Sequence, residues 1–82
     1  MVTNLRLARV RTGLRLRDFA RRHSLSEARL SRWETGKEYI PPAWRQVLAK
    51  TLGVTEQAIC DERGWPILVE PETGGADSEA TG

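Results

Sequence analysis

From Leu5 to Ile59 the apolar positions recur every three or four residues, the period of a helix rather than of a strand. With the stop signals between them, they predict five helices. The first spans residues 4–12, capped by Thr3 and stopped by Gly13. Leu5, Ala8 and Thr12 face inward on it, Arg9 lies beside them, and Leu7 and Val10 fall on another face. The second spans 16–23, with Leu16, Phe19, Ala20 and His23 along one side. Ser24-Leu25-Ser26 breaks that pattern. Ser26 caps a third helix over 27–35, Leu25 and Leu30 are spaced as a hydrophobic staple, and Gly36 ends the element. The fourth runs over 42–52, opened by Pro42 and stopped by Gly53. Trp44, Val47, Leu48 and Thr51 share its face, with Leu52 at the edge. Val54 and Thr55 repeat the staple and cap for a weakly amphipathic fifth helix over 56–63, stopped by Gly64.

The faces of the third helix divide cleanly. Leu30 and Trp33 point one way, which assigns Trp33 to the core. Glu27, Ala28, Ser31 and Arg32 point the other way, with Arg29 on the flank. That outward set is short, mixed and rich in directed donors and acceptors, the composition that reads base edges in a DNA major groove. Residues 19–36 therefore read as two short helices joined by a tight turn, the second lying in the groove. Arg32 and Arg29 are the strongest base readers, since a guanidinium can take guanine O6 and N7 together. Glu27 can accept from a cytosine amine, Ala28 can touch a thymine methyl, and Ser31 can bond a base or a phosphate. His23 lies on an apolar face and is expected to be half-buried and hydrogen-bonded.

Past Gly64 the pattern changes. Trp65-Pro66-Ile67-Leu68-Val69 is the most apolar run in the chain, and its β-branched residues favour an extended form. Residues 70–82 are polar, acidic and glycine-rich, a disordered composition. The apolar run has two uses open to it. It folds back onto Leu7 and Val10, or it pairs with its counterpart in a second subunit as an edge strand. The chain then divides into a domain over 1–64, an apolar extension over 65–69 and a tail over 70–82.

Charge sharpens this division. The formal net charge is only +2, but residues 1–53 hold twelve Lys/Arg against four Asp/Glu, and residues 54–82 hold one Arg against seven. A basic body with an acidic end suits a polyanion-binding domain followed by a solvating or competing segment. Eighty-two residues make one small domain. The single Cys60 and single His23 leave no disulfide, no metal set and no nucleophile–base pair, so no cofactor, metal or enzymatic activity is expected. No apolar run approaches a membrane span, and arginines from Arg6 onward leave no signal-peptide core, which predicts a cytoplasmic protein.

The string Arg9…Gly13-Leu14…Phe19-Ala20…Leu25-Ser26…Leu30-Ser31-Arg32-Trp33-Glu34-Thr35-Gly36-Lys37…Leu48…Leu52-Gly53-Val54 resembles the Cro/CI-type (XRE-type) helix-turn-helix family of phage and bacterial repressors. The resemblance covers roughly residues 5–60. It implies an all-α, five-helix lambda-repressor-like DNA-binding domain that binds double-stranded operator DNA as a homodimer. It also implies an ion pair between Arg9 and Glu34 that ties the first helix to the end of the recognition helix, with Arg9 close to a phosphate. Gly36 and Lys37 match positions that meet phosphate through backbone and side chain. The fifth helix is where this family often dimerises. Ala58, Ile59 and Cys60 are therefore dimer candidates or simply close the core, and Trp65, Ile67 and Val69 are candidates for a dimer or tail contact.

The sequence departs from the family at Arg15 and Leu16, at Ser24, and in the loop before the fourth helix, where the family often places one proline a residue or two earlier than Pro41-Pro42. Leu16 stands where a Gln often touches phosphate or base, so only its backbone N–H, at a helix start, remains to bind phosphate. Arg15 and Arg17 are the compensating phosphate contacts, and Tyr39 adds a hydroxyl or simply packs. Ser24 replaces the usual turn glycine, although Ser accepts a positive φ less readily. The function implied is a transcriptional regulator, a Cro/CI-like repressor on a pseudo-palindromic operator, in the nucleoid or in a phage host's cytoplasm. Two alternatives stand beside it. One is an antitoxin or restriction-modification controller of the same fold that also binds a partner protein through its C-terminal segment. The other is a helical protein-interaction module without DNA binding.

Overall fold

The computed structural model describes residues 2–69. Along the chain come β1 (Val2–Thr3), α1 (Asn4–Arg11), α2 (Leu16–Arg22), α3 (Glu27–Glu34), α4 (Pro42–Leu52), α5 (Glu56–Ile59) and β2 (Leu68–Val69). The five helices follow the periodicity. The two strands lie outside the all-α expectation. They pair antiparallel, Val2 opposite Val69 and Thr3 opposite Leu68, and join the two ends of the described chain. The expected tail, 70–82, lies outside the described residues.

Local chemistry sets the helix starts. The hydroxyls of Thr3, Ser26 and Thr55 accept from the backbone N–H of Arg6, Arg29 and Ala58, each satisfying one orphan first-turn donor. The ends of α2, α3 and α4 share one closure, a Schellman pair of backbone bonds around a left-handed residue. After α3, Gly36 donates to Trp33 O and Lys37 to Arg32 O, with Gly36 at φ 74°. After α2, Ser24 donates to Arg21 O and Leu25 to Ala20 O. There the left-handed position is held by Ser24 at φ 53°, the only positive-φ residue other than glycine among those described. Holding this position with a serine costs about 1 kcal/mol in backbone strain.

The core lies where all five helices converge. Phe19, Leu30, Trp33, Ile40, Leu48 and Ile59 are fully buried, with Leu5, Ala20, Leu25, Ala49 and Cys60 around them. Burial of the Cys60 thiol pushes its pKa up, which keeps it in the unreactive protonated form. The rings of Phe19 and His23 meet at 4.8 Å with their planes tilted by 49°, and His23 is half-buried as expected. Its Nε2, however, is buried without a hydrogen-bond partner.

Three local expectations need correction. Thr12 is exposed, because its hydroxyl turns back to donate to Arg9 O and closes α1 instead of entering the core. The buried stripe of α4 is Trp44, Leu48, Ala49 and Leu52, while Val47 and Thr51 face solvent. α5 ends at Ile59, four residues short of the predicted stop. Beyond it Cys60 is extended and bridges Pro66 antiparallel, so residues 60–66 make a tight hairpin. Asp61 Oδ1 accepts from the N–H of Arg63 and Trp65, and Gly64 donates to Asp61 O. Gly64 stands at φ 94°, a conformation L side chains rarely adopt, and a Cβ there would also displace the Arg45 guanidinium from its bonds to Ile40 O and Arg63 O.

The hairpin redirects the apolar run 65–69. Ile67 N–H donates to Ile59 O, Asn4 N–H donates to Ile67 O at 2.9 Å, and β2 lies against β1. The run thus returns to Val2–Thr3 rather than to the face of Leu7 and Val10. Val10 stays exposed.

Candidate nucleic-acid interface

α3 is held at both ends by buried groups. At its C-terminal end Glu34 is 5% exposed and takes a two-pronged guanidinium, Arg9 Nε to Oε2 at 2.5 Å and Nη2 to Oε1 at 3.0 Å. The third donor of Arg9, Nη1, reaches Leu14 O at 2.7 Å. Thr3 Oγ1 donates to Glu34 O at 2.7 Å while capping α1. One helix end is therefore tied to α1, to the α1–α2 connection and to the sheet. At the other end the Ser26 cap and the buried Leu25 and Leu30 fix how the chain enters the helix.

This anchoring leaves one side of α3 open. Glu27, Ala28 and Arg32 are exposed, Ser31 and Arg29 are half-exposed, and Leu30, Trp33 and Glu34 are buried. Four of the five candidate base readers thus share the open side of one anchored helix, with Arg29 at its flank. Arg29 is stiffened there, its guanidinium carbon 5.1 Å from the Trp33 ring centroid.

The flanking positions divide by role. Arg15, Arg17, Lys37 and Tyr39 are exposed and Leu16 is half-buried against the core. Arg15 occupies the N-cap of α2, where its backbone carbonyl accepts from Phe19 N–H but its side chain makes no cap bond. Arg17 Nε lies 3.9 Å from Glu27 Oε2, an exposed pair linking the starts of α2 and α3 and worth little in water. Arg9 differs from the other basic residues. With its side chain 10% exposed and three donors committed within the protein, it is a clamp on Glu34 with little reach for a phosphate.

Sequence reasoning missed one residue of this surface. Glu38 Oε1 accepts from Arg32 Nε at 2.7 Å, and its Oε2 lies 3.7 Å from Arg29 Nε. The Arg32 hydrogen bond, helped by the charges of Arg32 and Arg29, holds the Glu38 carboxyl below its ordinary pKa. Six residues separate Arg32 from Glu38, a spacing with no meaning on a helix. Only the Schellman turn at Gly36, which folds the chain back along α3, brings them together.

The dimer or tail candidates scatter. Ile59 is fully buried and closes the core, so its side chain offers nothing to a second subunit. Ala58 is half-buried and its carbonyl takes Asn4 Nδ2 at 2.6 Å. Ile67 and Val69 are half-buried and Trp65 is exposed, with its ring 6.3 Å from that of the exposed Tyr39. Among the described residues no cluster of His, Cys, Asp or Glu is arranged to hold a metal, and no helix is long and apolar enough to cross a membrane.

A family model described as a helix-turn-helix domain matches residues 1–59. No curated protein and no solved structure matches the chain. That match spans well over half of the chain and contains α2, the Ser24 turn and α3 whole. The chain belongs to the helix-turn-helix domain family, a family of DNA-binding domains.

Proposed function

We propose that this protein is a sequence-specific transcriptional regulator of the Cro/CI-like kind, whose α3 enters the major groove of an operator. The observation that carries the reading is the open face of α3. Glu27, Ala28, Arg29, Ser31 and Arg32 project from one helix that is clamped by Arg9–Glu34 and seated on Trp33. Arg29 and Arg32 read guanine, and the other three add base or phosphate contacts. Arg15, Arg17 and Lys37, with the Tyr39 hydroxyl and the Leu16 N–H, hold the phosphates on either side. Arg9 acts through Glu34 by fixing the helix. Two protomers on a pseudo-palindromic site would set their recognition helices about 34–36 Å apart. Occupancy by such a dimer in the bacterial or host cytoplasm represses transcription by blocking polymerase.

A second reading keeps the fold and adds a partner protein, as an antitoxin or a restriction-modification controller does. The exposed, touching aromatics Tyr39 and Trp65 favour it, because they sit beside the C-terminal segment and outside the core.

Genome-fragment pull-down at near-physiological salt, with wild type and Arg32→Ala side by side, tests the main reading. Enrichment of one site by wild type, reduced at least about tenfold in the variant, is the expected result. Weak, uniform, salt-sensitive recovery by both proteins would mean charge attraction alone and would shift the assignment to the partner-binding reading.

A further inference from the structure

We infer that Glu38 is a specificity-determining residue of this interface: its carboxylate holds Arg32 by Nε, presents the opposite edge of the guanidinium to guanine, and discourages every other use of that arginine. The inference rests on the DNA-reading function proposed above and deepens it.

Geometry supplies the first half. An arginine has two forks, one made by Nε–H with a terminal N–H and one made by the two terminal nitrogens. Glu38 Oε1 takes Nε of Arg32 at 2.7 Å, and among the described residues the Arg32 guanidinium makes no other hydrogen bond. The two-nitrogen edge is left open, and it is an edge that can reach O6 and N7 of one guanine. The backbone fixes Glu38 in turn. Lys37 N–H donates to Arg32 O at 2.8 Å, so the residue after it starts from a set place beside the helix. The second carboxylate oxygen faces Arg29 at 3.7 Å, and Arg29 is itself laid over Trp33. One carboxylate therefore holds Arg32 directly and faces Arg29, and holding Arg32 before DNA arrives lowers the entropy lost on binding.

Charge supplies the second half. On a random sequence the same arginines gain most by turning to phosphate, and to do so they must leave Glu38 unpaired close to a polyanion. On the correct site they keep Glu38 and gain guanine. The carboxylate thus penalises the wrong complex more than the right one, and specificity is that difference.

The test uses the full chain and a randomised duplex library. Sites are selected with wild type, then affinities for the preferred site, for its single-base variants and for random duplex are measured for wild type, Glu38→Gln, Arg32→Ala and the double variant. Glu38→Gln keeps the shape and removes the charge. It should bind random duplex several-fold more tightly and lose about tenfold of its preference for the selected site. The loss should fall on the guanine that Arg32→Ala also stops reading, and the double variant should lose no more there than Arg32→Ala alone. A merely structural Glu38 would lower affinity at every base alike and move the melting temperature. That pattern, or a preference kept within about twofold, overturns the inference while leaving the DNA reading intact. A wild type that selects no site at all overturns both.

Discussion

At the residue scale the decisive pair is Arg9 and Glu34. Removing one partner strands the other charge where water cannot reach it well, and such losses reach about 3 kcal/mol or more. Glu34→Ala should therefore remove a large part of the stability of a domain this small, lowering its thermal midpoint by more than about 10 °C. The double replacement Arg9→Met with Glu34→Leu should recover much of that loss, because neither side then leaves a buried charge. Thermal unfolding followed by circular dichroism reads both outcomes. A Glu34→Ala midpoint within a few degrees of wild type would show that the pair is only a surface contact. The contrast with Arg17 and Glu27 is instructive. That pair has the same chemistry, but its side chains are 68% and 55% exposed, and losing it should be nearly silent.

At the element scale the pieces that matter most for the site are the ones the sequence showed least. The caps and stops of α1 to α4 are local, and Thr3, Ser26, Gly36 and Gly53 place those boundaries to within about two residues. Periodicity gave the right face for α3, because Leu30 and Trp33 are its only large apolar side chains. It gave a rotated face for α4, where Val47 and Ala49 compete and only the neighbouring helices decide between them. Two features lay beyond any local pattern. The β1–β2 pairing joins residues 67 positions apart, and the Arg32–Glu38 contact depends on the path of a loop. One further signal is local and readable. Asp61 followed by Gly64 three positions on, ahead of a β-branched run, is turn chemistry, and it explains why α5 stops at Ile59. The strand matters because Thr3 serves three partners at once: the Arg6 N–H, the Glu34 carbonyl and β2. Truncation after Gly64 should thus do more than shorten the chain. It frees the Asn4 N–H and the Ile59 carbonyl and removes the strand paired with Thr3, and it should cost about 2 kcal/mol or more, with the loosening felt at the end of α3. An unchanged denaturation midpoint would make 65–69 a mere appendage.

For the whole molecule, the unequal distribution of charge becomes a matter of range. On the proposed reading, the arginines and Lys37 around α2 and α3 act on DNA at contact. The acidic residues Glu70, Glu72, Asp77 and Glu79 stand in a segment without a single Lys or Arg, and they add four negative charges to the molecule's total field. Deleting 70–82 removes four negative charges and changes the formal net charge from +2 to +6. The field that a DNA duplex meets on approach then becomes more attractive, while the residues proposed to read bases are untouched. The shortened protein should therefore associate faster and bind random duplex more tightly, with the greatest gain at low salt and little left at ionic strengths where the Debye length falls to roughly 3 Å. Its ratio of operator to random binding should fall or stay level, since the gain does not depend on sequence. A control in which the four acids are replaced by Gln and Asn separates charge from length. If that control behaves as wild type and only the deletion binds more tightly, the segment acts by its bulk, and the balance of charge across the chain has no part in how this domain meets DNA.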